Sequence, residues 1–262
     1  MRLAAATTGD GPAVLLIHGF PDSRRVWREQ VGPLNDAGFR TIAPDLRGFG
    51  ESERPQGVEA YRVTTVIGDL VELLDEHGVE RAHVIGHDWG AGLAWVLAAL
   101  HPERVSSLAA LSVGHPNASR PRSLESREKG WYQLLFQFEE AEALFLRDGA
   151  RLLREWLADA PDAERYVEEL SEPGVLTTRL GLYRANLHPR NELDPRPLPA
   201  VAAPTLGLWS TGEHYLTEAA MIRSGEHVTG RWRYERIEGA SHWLQLDAPD
   251  RVNRLLLEHL RS

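Results

Sequence analysis

Residues 82–92 of this 262-residue chain, AHVIGHDWGAG, limit the possible folds more than any other stretch. Val84 and Ile85 form a β-branched apolar run, and Gly86, Asp88 and Gly90 follow at alternate positions. Leu93, Val96, Leu97 and Leu100 then recur at helical spacing. A strand that turns so sharply into a helix forces its central residue to a strained backbone angle, and flanking glycines remove the Cβ atoms that would clash. The spacing therefore predicts Asp88 at the apex of a strand-to-helix elbow, with a helix starting at Trp89 whose N-terminal dipole keeps the carboxylate ionised. A carboxylate that attacks an acyl carbon leaves a high-energy anhydride. One that attacks a saturated carbon bearing a leaving group leaves an alkyl ester, so an epoxide or a carbon–halogen bond fits the chemistry. The competing reading is that Asp88 only caps the helix.

Length and charge narrow the setting. A chain of this size can bury the core of one α/β domain with an insertion. The net charge of −9 argues against nucleic acid or an anionic membrane as partner. With no cysteine there is no disulfide framework, thiolate metal site or thiol nucleophile. No apolar run reaches signal-peptide or membrane-spanning length, so a cytoplasmic protein is expected.

Strand-like runs at Pro12–Ile17, Phe39–Ala43, Ala82–Ile85 and Val105–Val113 alternate with helical patterns such as Val63–Leu74. This rhythm predicts a mostly parallel sheet with helices on both faces. It breaks from Ser119 to Pro197, where apolar stripes at helical spacing (Leu152, Leu153, Trp156, Leu157; Leu176, Leu180, Tyr183, Leu187) take over. The expected organisation is a core of residues 1–118 and 198–262, with a helical cap at 119–197 that leaves through the proline-rich Pro195–Pro199. Pro204–Trp209 and Trp232–Ile237 then resume the sheet, and Val252–Leu260 supplies a last helix.

Hydrolysis of an alkyl ester calls for a base and a group to orient it. On an elbow scaffold these follow the nucleophile in the order acid, then histidine, on loops beyond strand ends. His242 follows the last strand, and Glu213 follows the strand ending at Trp209. The rival acid position, after Val113, offers no carboxylate, although Glu213 could also be a solvated loop acid. The loop His18-Gly19-Phe20-Pro21 should wrap beside the elbow, so that the Phe20 and Trp89 amides form an oxyanion hole; His18 itself is expected to hold that loop.

With these residues placed, HGFPDS (18–23), DLRGFGES (45–52), GHDWGA (86–91) and GASHW (239–243) resemble the α/β-hydrolase-fold epoxide hydrolases over nearly the whole chain. The resemblance implies the α/β-hydrolase fold, a triad of Asp88, Glu213 and His242, and two cap tyrosines that protonate the opening epoxide. Tyr132 and Tyr183 match those tyrosine segments. It implies an epoxide and water as substrates and no metal or organic cofactor, while oligomeric state stays open. Phe20, Trp89, Trp131 and Phe136 suggest an aromatic pocket for a small apolar substrate. GHDWG is shared with haloalkane dehalogenases, so that activity is the alternative, with the Trp89 and Trp131 indoles as halide donors. A ligand-binding module without turnover is the second alternative. Two departures stand out. The family's first edge strand is expected to be missing, and the acid is Glu where Asp is commoner.

Overall fold

The computed structural model describes residues 1–120, 122–193 and 196–262; Pro195, in the proline-rich exit, lies outside them. Strands β1 (Ala5–Thr8), β2 (Ala13–Ile17), β3 (Arg40–Pro44), β4 (Ala82–His87), β5 (Val105–Leu111), β6 (Thr205–Gly212) and β7 (Trp232–Ser241) form one sheet in the order β1-β3-β2-β4-β5-β6-β7. Every pairing is parallel except β1 with β3, which is antiparallel. All five residues of β2, AVLLI, are buried, as expected of a parallel strand covered on both faces. Strand β1 is not marked in the sequence. Its sequence, AATT, is short, mostly exposed and without apolar alternation. Among the described residues no strand precedes it.

Helices α1 (Arg28–Asp36), α2 (Val63–Glu76) and α3 (Trp89–Leu100) connect the first strands. Val66, Ile67, Leu70, Leu73 and Leu74 form the buried stripe of α2. Helix α3 is apolar almost all round because it packs on β2, β4, β5 and α2 together. Between β5 and β6 lie α4 (Leu124–Lys129), α5 (Trp131–Leu135), α6 (Ala141–Trp156), α7 (Ala163–Ser171) and α8 (Val175–Asn186). Helix α6 bends where Asp148, Gly149 and Ala150 take left-handed angles. The chain ends with α9 (Glu218–Arg223), α10 (Leu244–Asp247) and α11 (Pro249–Leu260). Among the described residues no helix is long and apolar enough to cross a membrane.

The elbow between β4 and α3 leaves no room for side chains at its glycines. A Cβ on Gly86 would lie 2.2 Å from the Gly90 carbonyl oxygen, and one on Gly90 would lie 1.9 Å from the Ile17 carbonyl oxygen. Both obstacles are backbone, which cannot swing aside. Gly90→Ala is therefore expected to push α3 off β2 and to cost about 3 kcal/mol, the upper end of overpacking penalties. Urea denaturation reads this directly, and an unchanged midpoint would contradict it.

Candidate active site

Asp88 sits at φ 52°, ψ −122°, a left-side conformation that few non-glycine residues adopt. Its side chain makes no capping hydrogen bond to α3, so the helix-cap reading does not hold. Instead Oδ1 accepts from the Phe20 amide at 2.8 Å. Burial pushes the Asp88 carboxyl up from its ordinary range; the His242 charge and the Trp89 and Phe20 amides pull it back without cancelling the rise. The helix N-terminus alone thus does not decide the ionisation, as the elbow pattern suggested. Burial is the larger effect.

His18 holds the loop that supplies Phe20. Its Nδ1–H donates to the Gly19 carbonyl at 2.8 Å and its Nε2 accepts from the Leu46 amide at 2.9 Å, an arrangement that requires the neutral ring. Burial lowers its pKa to about 4, and burial also takes His115 and His259 to about 4. Each depressed histidine stabilises the fold fully above the unfolded pKa of about 6.5 and loses that contribution as pH falls toward 4. For His18 alone the loss is about 3 kcal/mol at 1.36 kcal/mol per unit. Asp22, which burial raises to about 6, acts oppositely over part of the range, as do Asp88 and His242 with their raised values, but the five depressed histidines, His83 and His87 included, outweigh these three groups. Urea midpoints should fall between pH 7 and pH 4.5; a flat or rising series would refute this assignment.

Glu213, at the end of β6, is buried, and its Oε2 accepts from His242 Nδ1 at 2.6 Å. The solvated-loop reading of this acid is thereby excluded. Its Oε1 accepts from the Tyr215 amide at 2.7 Å. Burial raises the Glu213 pKa, yet His242 and the other hydrogen bonds to the carboxylate, the Tyr215 amide's among them, together outweigh it and the net direction is down. For His242 burial lowers the pKa, Glu213 and Asp88 raise it, and the net direction is up. The free ring nitrogen, Nε2, faces Asp88 Oδ2 at 3.7 Å, beyond hydrogen-bond length. Ser112, just past β5, donates its hydroxyl to the His242 carbonyl at 3.1 Å.

A cavity of about 320 Å³ is lined by Asp88, Trp89, Tyr132, Tyr183 and Tyr215, with Val63, Val96 and Leu198 also in its wall. Tyr132 and Tyr183 are both buried, with ring centroids 6.0 Å apart. Burial, then the Asp88 charge, raises both phenols above the ordinary tyrosine value. The Trp89 indole meets Tyr183 edge-on at 5.1 Å, its N–H beside the hydroxyl. Phe20 also meets Tyr183 edge-on, at 5.4 Å.

Of the four aromatics expected in the pocket, Trp89 lines this cavity, Phe20 borders a smaller void beside Asp88, and two fall elsewhere. Trp131 is 44% exposed and borders an outer groove with Leu152, Glu155 and His214. It precedes Tyr132 by one helical step of about 100°, so when one ring faces inward the other turns away. Phe136 is fully buried but packs behind the phenols, against Phe145, Trp156 and Tyr183. Tyr215, which sequence reasoning missed, lines the cavity and meets His242 edge-on at 5.1 Å. Its only signal was its place two residues beyond Glu213.

The comparisons with known proteins agree with this fold. Residues 12–249 match the family model described as the alpha/beta hydrolase fold. The chain is 34% identical to "AB hydrolase superfamily protein YfhM" of Bacillus subtilis, over 100% of this chain and 94% of that protein. It is also 34% identical to "Epoxide hydrolase A" of Mycobacterium tuberculosis, over 99% of this chain and 94% of that one. The chain belongs to the α/β-hydrolase-fold epoxide hydrolases. The solved structure of Epoxide Hydrolase A from Mycobacterium thermoresistibile superposes on this family member with a TM-score of 0.82 at 31% identity, covering 100% of this chain and 95% of that one. The dehalogenase alternative loses ground in this chain's own structure, because Trp131, one of its two halide donors, does not border the cavity.

Proposed function

We propose that this epoxide hydrolase opens a small, largely apolar epoxide to a vicinal diol through an alkyl ester on Asp88, with the helical insertion serving as a cap. The observation that carries the reading is two buried phenols, Tyr132 and Tyr183, lining the same cavity as the half-buried Asp88 carboxylate. Asp88 Oδ2 attacks one epoxide carbon, the carbon–oxygen bond breaks, and the departing oxygen takes a proton from Tyr132 or Tyr183. The charge leaves Asp88 as it arrives on that oxygen. One cause of the raised phenol pKa values therefore disappears at the moment a proton is needed.

The second half-reaction uses the same shift of charge. Esterification removes the Asp88 negative charge that helps hold His242 protonated, so the ring becomes available as a base. His242, oriented by Glu213, takes a proton from water, which attacks the Asp88 carbonyl carbon. The Phe20 and Trp89 amides hold the resulting oxyanion. Collapse of that adduct expels the ester oxygen, which takes the proton of the new carboxyl group to give the diol and restore the carboxylate, and the proton on His242 returns to the tyrosinate. A void of about 10 Å³ bounded by Asp88, His242, Tyr215 and Trp243 is close to the size of one water.

A panel of aryl, alkyl and cyclic epoxides beside matched haloalkanes tests the reading, with diol and halide scored separately. Diol from epoxides is expected, and halide without diol would overturn it. Tyr132→Phe or Tyr183→Phe should each slow ester formation by roughly 10–10²-fold, and the double variant should be slower still, within the ~10²–10⁴ range of general-acid effects. A double variant with an unaltered rate would remove the phenols from the chemistry.

A further inference from the structure

The loop carrying the triad acid is gripped by the helical insertion at three successive residues. The Glu213 carbonyl accepts from Lys129 Nζ at 2.8 Å. The His214 ring lies 3.3 Å from Asp159 Oδ2, just past α6. The Tyr215 hydroxyl donates to the Trp156 carbonyl, on α6, at 2.8 Å. Lys129 is the last residue of α4 and stands three positions before Tyr132. One turn of chain therefore brings a phenol to the cavity and also reaches the acid's backbone.

Lys129 is the single lysine among 29 basic residues. The difference is chemical. An ammonium is a compact donor suited to a lone carbonyl oxygen, whereas the planar guanidinium fork suits paired carboxylate oxygens. On the inner side of the same residue, the Glu213 carboxylate is fixed by the Tyr215 amide and by His242. Its direction is thus set by a loop whose backbone Lys129 holds from behind.

We propose that Lys129 is a positioning residue: by holding the Glu213 carbonyl it keeps the acid loop aimed at His242, and it ties the seating of the helical insertion to hydrolysis of the alkyl ester. The proposal rests on the Asp88-ester reading. The groups facing His242 are Glu213 beyond β6, Asp88 on the elbow, Asp22 beyond β2, neutral His87 on β4, and the Tyr215 ring. Of these, Glu213 is the one in Lys129's grip. If the loop slackens, His242 loses part of the opposing charge that favours its protonated form. Loss of the lysine's own positive charge would push the other way, so the two explanations differ in sign.

The experiment compares wild type, Lys129→Met and Lys129→Arg in single turnovers of styrene oxide, following ester formation and decay by intact mass. In parallel, the His242 ring is titrated by NMR and assigned by its absence in His242→Gln. In Lys129→Met, ester decay should slow about tenfold, part of the ~10²–10⁴ that a positioned base supplies, while ester formation stays within about twofold. The His242 pKa should fall by roughly one unit, the scale of a weakened charge partner. Lys129→Arg should recover part of the decay rate. A His242 pKa that is unchanged or higher in Lys129→Met would overturn the proposal, as would both half-reactions falling together with the melting temperature. If wild type and His242→Gln form no ester at all, it is the underlying reaction that fails; the NMR titration still reads the grip itself.

Discussion

Asp88→Asn is expected to abolish diol formation, with kcat lower by about 10⁴–10⁶, the scale seen when a covalent nucleophile is removed. The amide has nearly the same shape as the carboxylate, and Asn tolerates the φ of 52° better than most residues. The elbow should therefore keep its geometry, with loss of nucleophilicity as the main change. Stability sharpens the test. Burial raises the Asp88 pKa above its unfolded value, so any stabilisation from its proton is present below the unfolded pKa and is lost as pH rises through the folded one. At pH 7 the ionised group is thus a burden on the fold, and the neutral amide should melt at the same temperature or higher, a trade common at active sites. A folded variant that still turns over epoxide would remove Asp88 from the mechanism. So would a loss of activity explained by a melting point several degrees lower.

His242→Gln separates the two half-reactions. Ester formation needs Asp88 and the phenols, whereas ester hydrolysis needs the base. The variant should consume about one equivalent of epoxide per chain and then stall, with hydrolysis slower by roughly 10³–10⁴. Intact mass should show the protein heavier by one whole substrate molecule, because ring opening adds the epoxide without a leaving group. A haloalkane would instead add the alkyl group minus halide, so the mass increment also distinguishes the two chemistries. Steady turnover without accumulation would show that another group serves as base.

The sheet, the elbow and the strand-end loops were legible because each rests on a local pattern. Apolar runs mark the central strands, the paired glycines mark the bend, and position after a strand places Glu213 and His242. Strand β1 was not legible, since AATT on an exposed, antiparallel edge buries too little to show a pattern. The cavity wall was read only in part. Tyr132 and Tyr183 emerged through their resemblance to family segments, yet neighbouring Trp131 was assigned inward although one helical step separates it from Tyr132. Phe136 shares the buried face of Tyr132, but whether a ring meets the cavity or stands behind another ring depends on packing across elements. Tyr215 and Lys129 act through contacts spanning 59 and 84 residues, Tyr215 to Trp156 and Lys129 to Glu213. No short-range pattern records such contacts.

A single turnover with enzyme in excess, run in heavy-oxygen water, tests the covalent claim most directly. If Asp88 supplies the oxygen that joins the substrate, the first diol carries no solvent label and Asp88 itself gains it, detectable in the peptide that contains Gly86–Gly90. Solvent label in the first diol, with none on Asp88, would mean that water attacks the epoxide directly and would contradict the account.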